Sequence, residues 1–364
     1  MSEAITLYAL PHSYYSGKTR SYLRYKKIPY VEKNLTLRNF KFIVQRTGVK
    51  YIPVIHTPDD QVVQDTTEIM DFLEARYPSP SVYPDTPKQK LVALLFENFG
   101  DEWLVLPAMH YRWSVLHDVK HKNDVLEHFG LVLGSWVPKF IRRRFGWKMC
   151  QPFFGSLPNL GVTPKTIPAI EADYEKFLKQ MDAHFARYPY LLGGRASAGD
   201  FGLMGPLYAH LWRDPYPKAL MQRIAPNVCA WVERMNSRTP AYGDWLAGDE
   251  IPETLLPVLR HMFAEHLPVQ IDTARRLAQW LERNPGQRIP RGIGKHTVRV
   301  GGVEEERVVF PYTQWMLQRL LDFYQSLPDR TAVDTLLRQV GGLEAMQTRL
   351  QRRVKRVNNR LVAE

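Results

Sequence analysis

The stretch Tyr51-Ile-Pro-Val-Ile-His-Thr-Pro-Asp-Asp-Gln-Val-Val-Gln-Asp-Thr66 decides how the first part of the chain folds. Two short β-branched runs, Tyr51 to Ile55 and Gln61 to Gln64, flank the turn-rich Thr57-Pro-Asp-Asp60, which predicts an antiparallel hairpin. Pro53 stands at the entry to the first strand, where a chain bend or a cis bond fits a residue that cannot donate to a ladder. Asp65 and Thr66 then open a helix running to Tyr77. Upstream, Ile5 to Ala9 is strand-like, Gly17 to Lys27 helical, Ile28 to Glu32 strand-like and Phe40 to Arg46 a short helix. A right-handed βαβ unit, a helix and a ββα unit in that order give an α/β domain of thioredoxin-like arrangement.

Pro78, Pro80, Pro84 and Pro87 interrupt the chain within ten residues and mark a linker. Beyond it the period becomes helical. Leu95, Phe99, Leu106, Met109 and Trp113 share one stripe, with a bend expected near the turn before Pro107. Helices follow at Ile167 to Tyr188, Asp200 to Arg213 and Ala225 to Ser237. The expected division is a thioredoxin-like domain at 1–80, an all-helical domain at 88–250 and a C-terminal extension at 251–364. In the extension, residues 251–283 read as helical, and His296 to Val300 and Val303 to Phe310 as a hairpin about Gly301-Gly302. Tyr312 to Leu327 and Leu343 to Leu361 read as amphipathic helices, the second carrying Leu343, Met346, Leu350, Val354, Val357 and Leu361 on one stripe.

Composition narrows the class. With 364 residues, 45% hydrophobic and 24% charged, the chain is long enough for two packed domains and is neither disordered nor collagen-like. Cys150 and Cys229 are too few for a disulfide scaffold and form no paired metal motif, so no metal is expected. The start MSEAITLYAL lacks a secretory pattern and no run approaches the roughly 20 apolar residues of a membrane helix, so the cytoplasm is the expected compartment. The net charge of +12 gathers in Lys139 to Arg144 and Arg352 to Arg356 without a nucleic-acid motif, and neither nucleic acid nor a membrane is expected as a partner.

Three features could carry chemistry. The loop Pro11 to Arg20 brings Ser13 and neighbouring hydroxyls to a helix start, where free N–H groups favour an anion. A cis Pro53 would leave the backbone of Ile52 free to pair with an extended peptide. Thr66 suits a carboxylate and Asp65 an ammonium, which together fit a free amino-acid head; the plain alternatives are an N-cap, an edge proline and a capping box.

Ser13-Tyr-Tyr-Ser-Gly-Lys-Thr-Arg20, Ile52-Pro53 and Asp65-Thr66 together resemble the cytosolic glutathione transferase superfamily over roughly residues 4–250, in its serine-type, bacterial-like form with an added C-terminal region. The resemblance implies glutathione as co-substrate, Ser13 activating its thiol, Ile52 and Pro53 holding the cysteinyl backbone, and Asp65 and Thr66 holding the γ-glutamyl group. Tyr51 stands where many relatives carry a cation, so one contact to the glycyl carboxylate is either missing or moved to Lys50, and Tyr14 replaces the usual proline, so Tyr14, Tyr15 and Ser16 compete with Ser13. Leu192 to Asp200 resembles the family's folding motif, with Ser197 and Asp200 at capping-box spacing. Tyr14, Tyr15, Met109, Tyr111 and Trp113 are candidates for the wall of a hydrophobic electrophile's pocket, although a stripe such as Met109, Tyr111 and Trp113 is more often plain core. A homodimer acting in detoxification is expected. The competing reading is a non-catalytic protein of the same fold, whose basic last helix contacts a partner, a membrane or nucleic acid.

Overall fold

The computed structural model describes residues 4–364. Its first unit is a four-stranded sheet of order β2-β1-β3-β4. β1 (Ile5–Ala9) pairs in parallel with β2 (Tyr30–Asn34) through α1 (Tyr14–Tyr25); α2 (Leu37–Thr47) leads to β3 (Val54–His56), antiparallel to β1 and to β4 (Val62–Gln64), and α3 (Thr66–Arg76) closes the unit. β1 lies inside the sheet and buries Leu7 and Ala9 completely, whereas the edge strand β2 leaves Val31 exposed. The Ile52–Pro53 bond is cis. This is the thioredoxin-like arrangement the sequence predicts.

The helices that follow are α4 (Pro87–Glu102), α5 (Val105–Trp113), α6 (Val119–Gly130), α7 (Lys139–Phe154), α8 (Ile167–Phe185), α9 (Ala198–Ala209), α10 (Pro215–Ile224) and α11 (Pro226–Met235). The stripe from Leu95 to Trp113 is broken at Trp103-Leu104 because Pro107 cannot donate to the carbonyl of Trp103. α9 is buried on all sides: it crosses α4 where a Cβ on Gly100 would strike the Gly202 carbonyl, and a Cβ on Gly202 would lie 2.5 Å from the Glu97 Cα. Its start is fixed by Asp200, whose carboxylate accepts from the Ser197 N–H (2.8 Å), the Leu191 N–H (3.1 Å) and the Trp231 indole (3.1 Å).

Beyond residue 250, α12 (Leu256–His261) runs through a π-helical turn (Met262–His266) into α13 (Leu267–Arg283). A hairpin of β5 (Lys295–Val300) and β6 (Val303–Val308), then α14 (Tyr312–Ser326), α15 (Thr331–Val340) and the one-turn α16 (Leu343–Met346) follow. The chain closes on a second hairpin, β7 (Val354–Val357) and β8 (Arg360–Ala363). The helix expected over Leu343 to Leu361 is therefore absent. Val354, Val357 and Val362 favour a strand, and Asn358 and Asn359 take φ of 49° and 60°, the left-handed pair of a two-residue hairpin turn.

The extension rests on both earlier parts. The Asn98 and Gln270 side chains exchange buried amide hydrogen bonds (2.8 and 2.9 Å) between α4 and α13, and Arg319 of α14 pairs with Asp71 of α3 at 2.6 Å. The first hairpin is held over the start of α8 by the Thr163 hydroxyl donating to Glu305 (2.8 Å) and by Lys165 donating to the Glu304 carbonyl (2.7 Å). Among the described residues, no helix is long and apolar enough to cross a membrane.

Candidate functional site

A cavity of about 300 Å³ lies where the three parts of the chain meet, at the lower end of the range for small-molecule sites. Tyr15, Ile52, Pro53, Asp65 and Thr66 form its wall on the first unit, and Asp101, Glu102 and Val105 at the α4–α5 break form a second. The extension covers it with Arg307 and Phe310, with Tyr312 from the start of α14, and with Arg356 from β7.

Asp65 is the N-cap of α3. Its Oδ1 accepts from the Thr67 N–H (3.0 Å) and its backbone is held at φ 91°, a conformation an aspartate keeps only when its surroundings impose it. Glu68 does not reach back to complete a capping box; it turns to Arg356. The second Asp65 oxygen, Oδ2, accepts from the Tyr312 hydroxyl at 2.5 Å and faces the Arg356 guanidinium at 3.3 Å. Arg356 lies 3.2 Å from Glu68 Oε2 and also donates to Gln64 Oε1 at 2.9 Å. The acidic group expected to hold an ammonium is thus already paired within the chain. This also alters the reading of a free basic tail: Arg356 is buried in these pairs and Arg353 is bound to Asp322 and Glu364.

Beneath the site, Lys18 of α1 donates to Asp101 (2.6 Å), Glu97 (2.8 Å) and Thr67 (3.3 Å). Burial pulls its pKa down, but the two carboxylates outweigh burial and hold the ammonium charged. Glu102 has no cation in ion-pair contact, and the pull of Arg307 on it is outweighed. Burial, then Asp101, pushes its carboxyl up to about 8, so it carries its proton at neutral pH.

Four hydroxyls were candidates beside a thiol. Ser13 is the N-cap of α1, accepts from the Ser16 N–H at 3.5 Å, and is not part of the cavity wall. Tyr14 is buried and donates to the Gly100 carbonyl, and Ser16 is buried against Leu10. Tyr15 does line the cavity and donates to the Asp101 carbonyl at 3.1 Å; burial, with Glu102, Asp101 and Asp65 nearby, pushes its pKa well above the ordinary value and keeps it a phenol.

Lys50 is exposed and outside the wall, which Tyr51 joins instead. Met109 and Trp113 pack in a satellite cluster with Val125, Leu126 and Cys150, and Tyr111 is core against Tyr174. None of the three reaches the cavity. The residues that do, beyond those read from the sequence, include Glu102, Arg307, Tyr312 and Arg356. Elsewhere, ligand atoms of Asp173, His261 and Glu265 come within 4.8 Å of one another, but the Glu265 carboxylate accepts from the Gly301 and Gly302 N–H groups and pins the hairpin turn.

Residues 7–81 match the model of the glutathione S-transferase N-terminal domain, and residues 164–239 that of the glutathione S-transferase C-terminal domain. Two domains of this chain thus match those of glutathione S-transferases. Similar solved structures include the transferase GSTFuA3 of Phanerochaete chrysosporium, at 15% identity and TM-score 0.45 over 67% of this chain and 100% of that one. A transferase of Methylobacterium radiotolerans in complex with glutathione sulfonate has 17% identity and TM-score 0.39, covering 67% and 98%. The β-etherase LigF of a Sphingobium strain has 16% identity and TM-score 0.41, covering 65% and 96%. No curated protein sequence matches. The helices α4 to α7 and everything after α11 lie outside the matched residues.

Proposed function

We propose that the protein is a glutathione transferase that binds glutathione as co-substrate in the covered cavity and presents its sulfur to an electrophile held under the extension. The observation that carries this reading is the meeting of Ile52, Pro53, Asp65, Thr66 and Tyr15 in one cavity wall. Ile52 precedes the strand ladder, which begins at Val54, so its backbone lies beyond the register of β3. It suits the cysteinyl unit as an added strand would. Thr66 at the α3 N-terminus suits the γ-glutamyl carboxylate, and the ammonium would share Asp65 with Tyr312 and Arg356.

The sulfur attacks as thiolate. Lowering a thiol from about 8.5 by roughly two units takes about 2.7 kcal/mol, within the reach of one charge-assisted hydrogen bond and a helix N-terminus. We assign that bond to Tyr15, the hydroxyl in the wall, which would turn its one proton from the Asp101 carbonyl to the sulfur, with Ser13 contributing through the capped start of α1. Cytoplasmic location and homodimerisation belong to the same reading.

Isothermal titration of the full chain with glutathione tests it, with binding expected in the micromolar to millimolar range. Turnover of a small panel of electrophilic acceptors should fall roughly ten-fold in Tyr15→Phe and less in Ser13→Ala; the reverse order returns the role to Ser13. A second reading has one observation in its favour: Asp65 is already occupied by Tyr312 and Arg356, as a non-catalytic binding protein of this fold could afford. Absence of any titration heat with folded protein would select it.

A further inference from the structure

The part of the cavity farthest from explanation is Arg307. It stands on β6, whose inward positions are Val303, Glu305 and Arg307, and at 6% exposure it is the most deeply buried of the three. Its guanidinium lies 5.8 Å from the Phe310 ring centre and, among the described residues, forms neither a hydrogen bond nor an ion pair. A buried arginine is ordinarily matched by a carboxylate fork, because an unpaired charge out of water is strongly unfavourable.

Each neighbouring acid is already accounted for. Asp65 is held by Tyr312 and Arg356. Asp101 is bound to Lys18 at 2.6 Å. Glu102 is neutral below about pH 8. Arg307 therefore faces the cavity as a cation without a counter-ion. Around it, Val105, Leu160 and Phe310 offer an apolar surface. At the mouth the exposed Arg291, 5.9 Å from the Tyr51 ring, adds a second positive charge on the way in.

We infer that Arg307 is the anchor for an acid group, carboxylate or sulfonate, on a ligand with a flat apolar body, so that the acceptor taken by this cavity is an anion. The inference names the acceptor class within the transferase reading, and its test is run without glutathione, so failure of that reading leaves it standing. The guanidinium fork matches two oxygens of such a group, and the apolar wall covers the body behind it.

The test uses two fluorescent probes with the same fused-ring body, 8-anilinonaphthalene-1-sulfonate and the neutral N-phenyl-1-naphthylamine, titrated into the full chain. Wild type should bind the sulfonate at least about ten-fold more tightly than the neutral probe. Arg307→Met should abolish that preference, leave the neutral probe's Kd within about two-fold, and, without ligand, melt above wild type because an uncompensated charge has been removed. Equal affinity of the two probes for wild type overturns the inference, as does a preference that survives in Arg307→Met. If Arg307→Met does not fold, Arg307→Gln decides in the same way, since it keeps a polar side chain and loses the charge.

Discussion

Glu102→Gln tests how the cavity sets its own charge. Glu102 ends α4 in the cavity wall, and burial, reinforced by Asp101, raises its carboxyl from 4.5 to about 8 against the opposing pull of Arg307 and Thr313. In the unfolded chain the group titrates near 4.5, so between that pH and about 8 the folded state holds a proton that the unfolded state has released. Its contribution to stability is greatest below 4.5, declines as pH rises through the window, and is fully lost above about 8. At 1.36 kcal/mol for each pH unit the ceiling is roughly 5 kcal/mol, and water entering the cavity together with local relaxation brings the expected effect to about 2 kcal/mol. Glutamine fills the same space and has no proton to lose. Urea unfolding of both proteins at pH 5, 7 and 9 should therefore give equal stabilities at pH 5 and a variant more stable by about 2 kcal/mol at pH 9. Taking the difference between the two proteins cancels the titration of every other group. A difference that does not change with pH, or that grows toward acid, would mean that Glu102 is ionised in the fold and is the counter-ion of Arg307, and the reasoning about the cavity's charge would fail.

Arg356→Ala should free Asp65 for a ligand ammonium and tighten glutathione binding by roughly three- to ten-fold in calorimetry; weaker binding would instead make Arg356 the partner of the γ-glutamyl carboxylate. A chain ending at residue 250 strips the cover from α3 and α4 and leaves Asn98 without Gln270, so it should be insoluble or melt more than about 10 °C below the full chain by circular dichroism; a soluble fragment of unchanged melting temperature would refute this.

The sheet, the hairpin after Pro53 and the α9 capping box were legible because each depends on short-range rules: alternation, turn residues, and a hydroxyl three positions before a carboxylate. The break before Pro107 was legible for the same reason. The last segment was misread because Leu343, Met346, Leu350, Val354 and Val357 satisfy a helical period while the two asparagines that reverse the chain look like ordinary surface. In the site, Ile52, Asp65 and Thr66 were found through local motifs. Tyr312, Arg356 and Arg307 come to them from more than 200 residues away, and only docking decides which arginine of a basic stretch turns inward. One faint signal was present: Arg307 falls at an inward position of a strand, where a valine would be the simpler choice. Of the two readings open for Met109 and Trp113, they take the core one, because α6 and α7 give them a small core of their own.

The Tyr312–Asp65 contact joins residues 247 apart, and Arg356 reaches Gln64 across 292. At translation rates of about 5 to 20 residues per second, roughly 15 to 60 s separate the synthesis of the cleft from that of the arginine that closes it. A ribosome-bound chain thus carries the thioredoxin-like unit with its groove open to the surrounding solution and its strained Asp65 unpaired. Only when β7 has emerged and docked does the groove become a chamber, so for this protein the cavity is a product of late assembly and not a property of the domain that supplies its most recognisable residues.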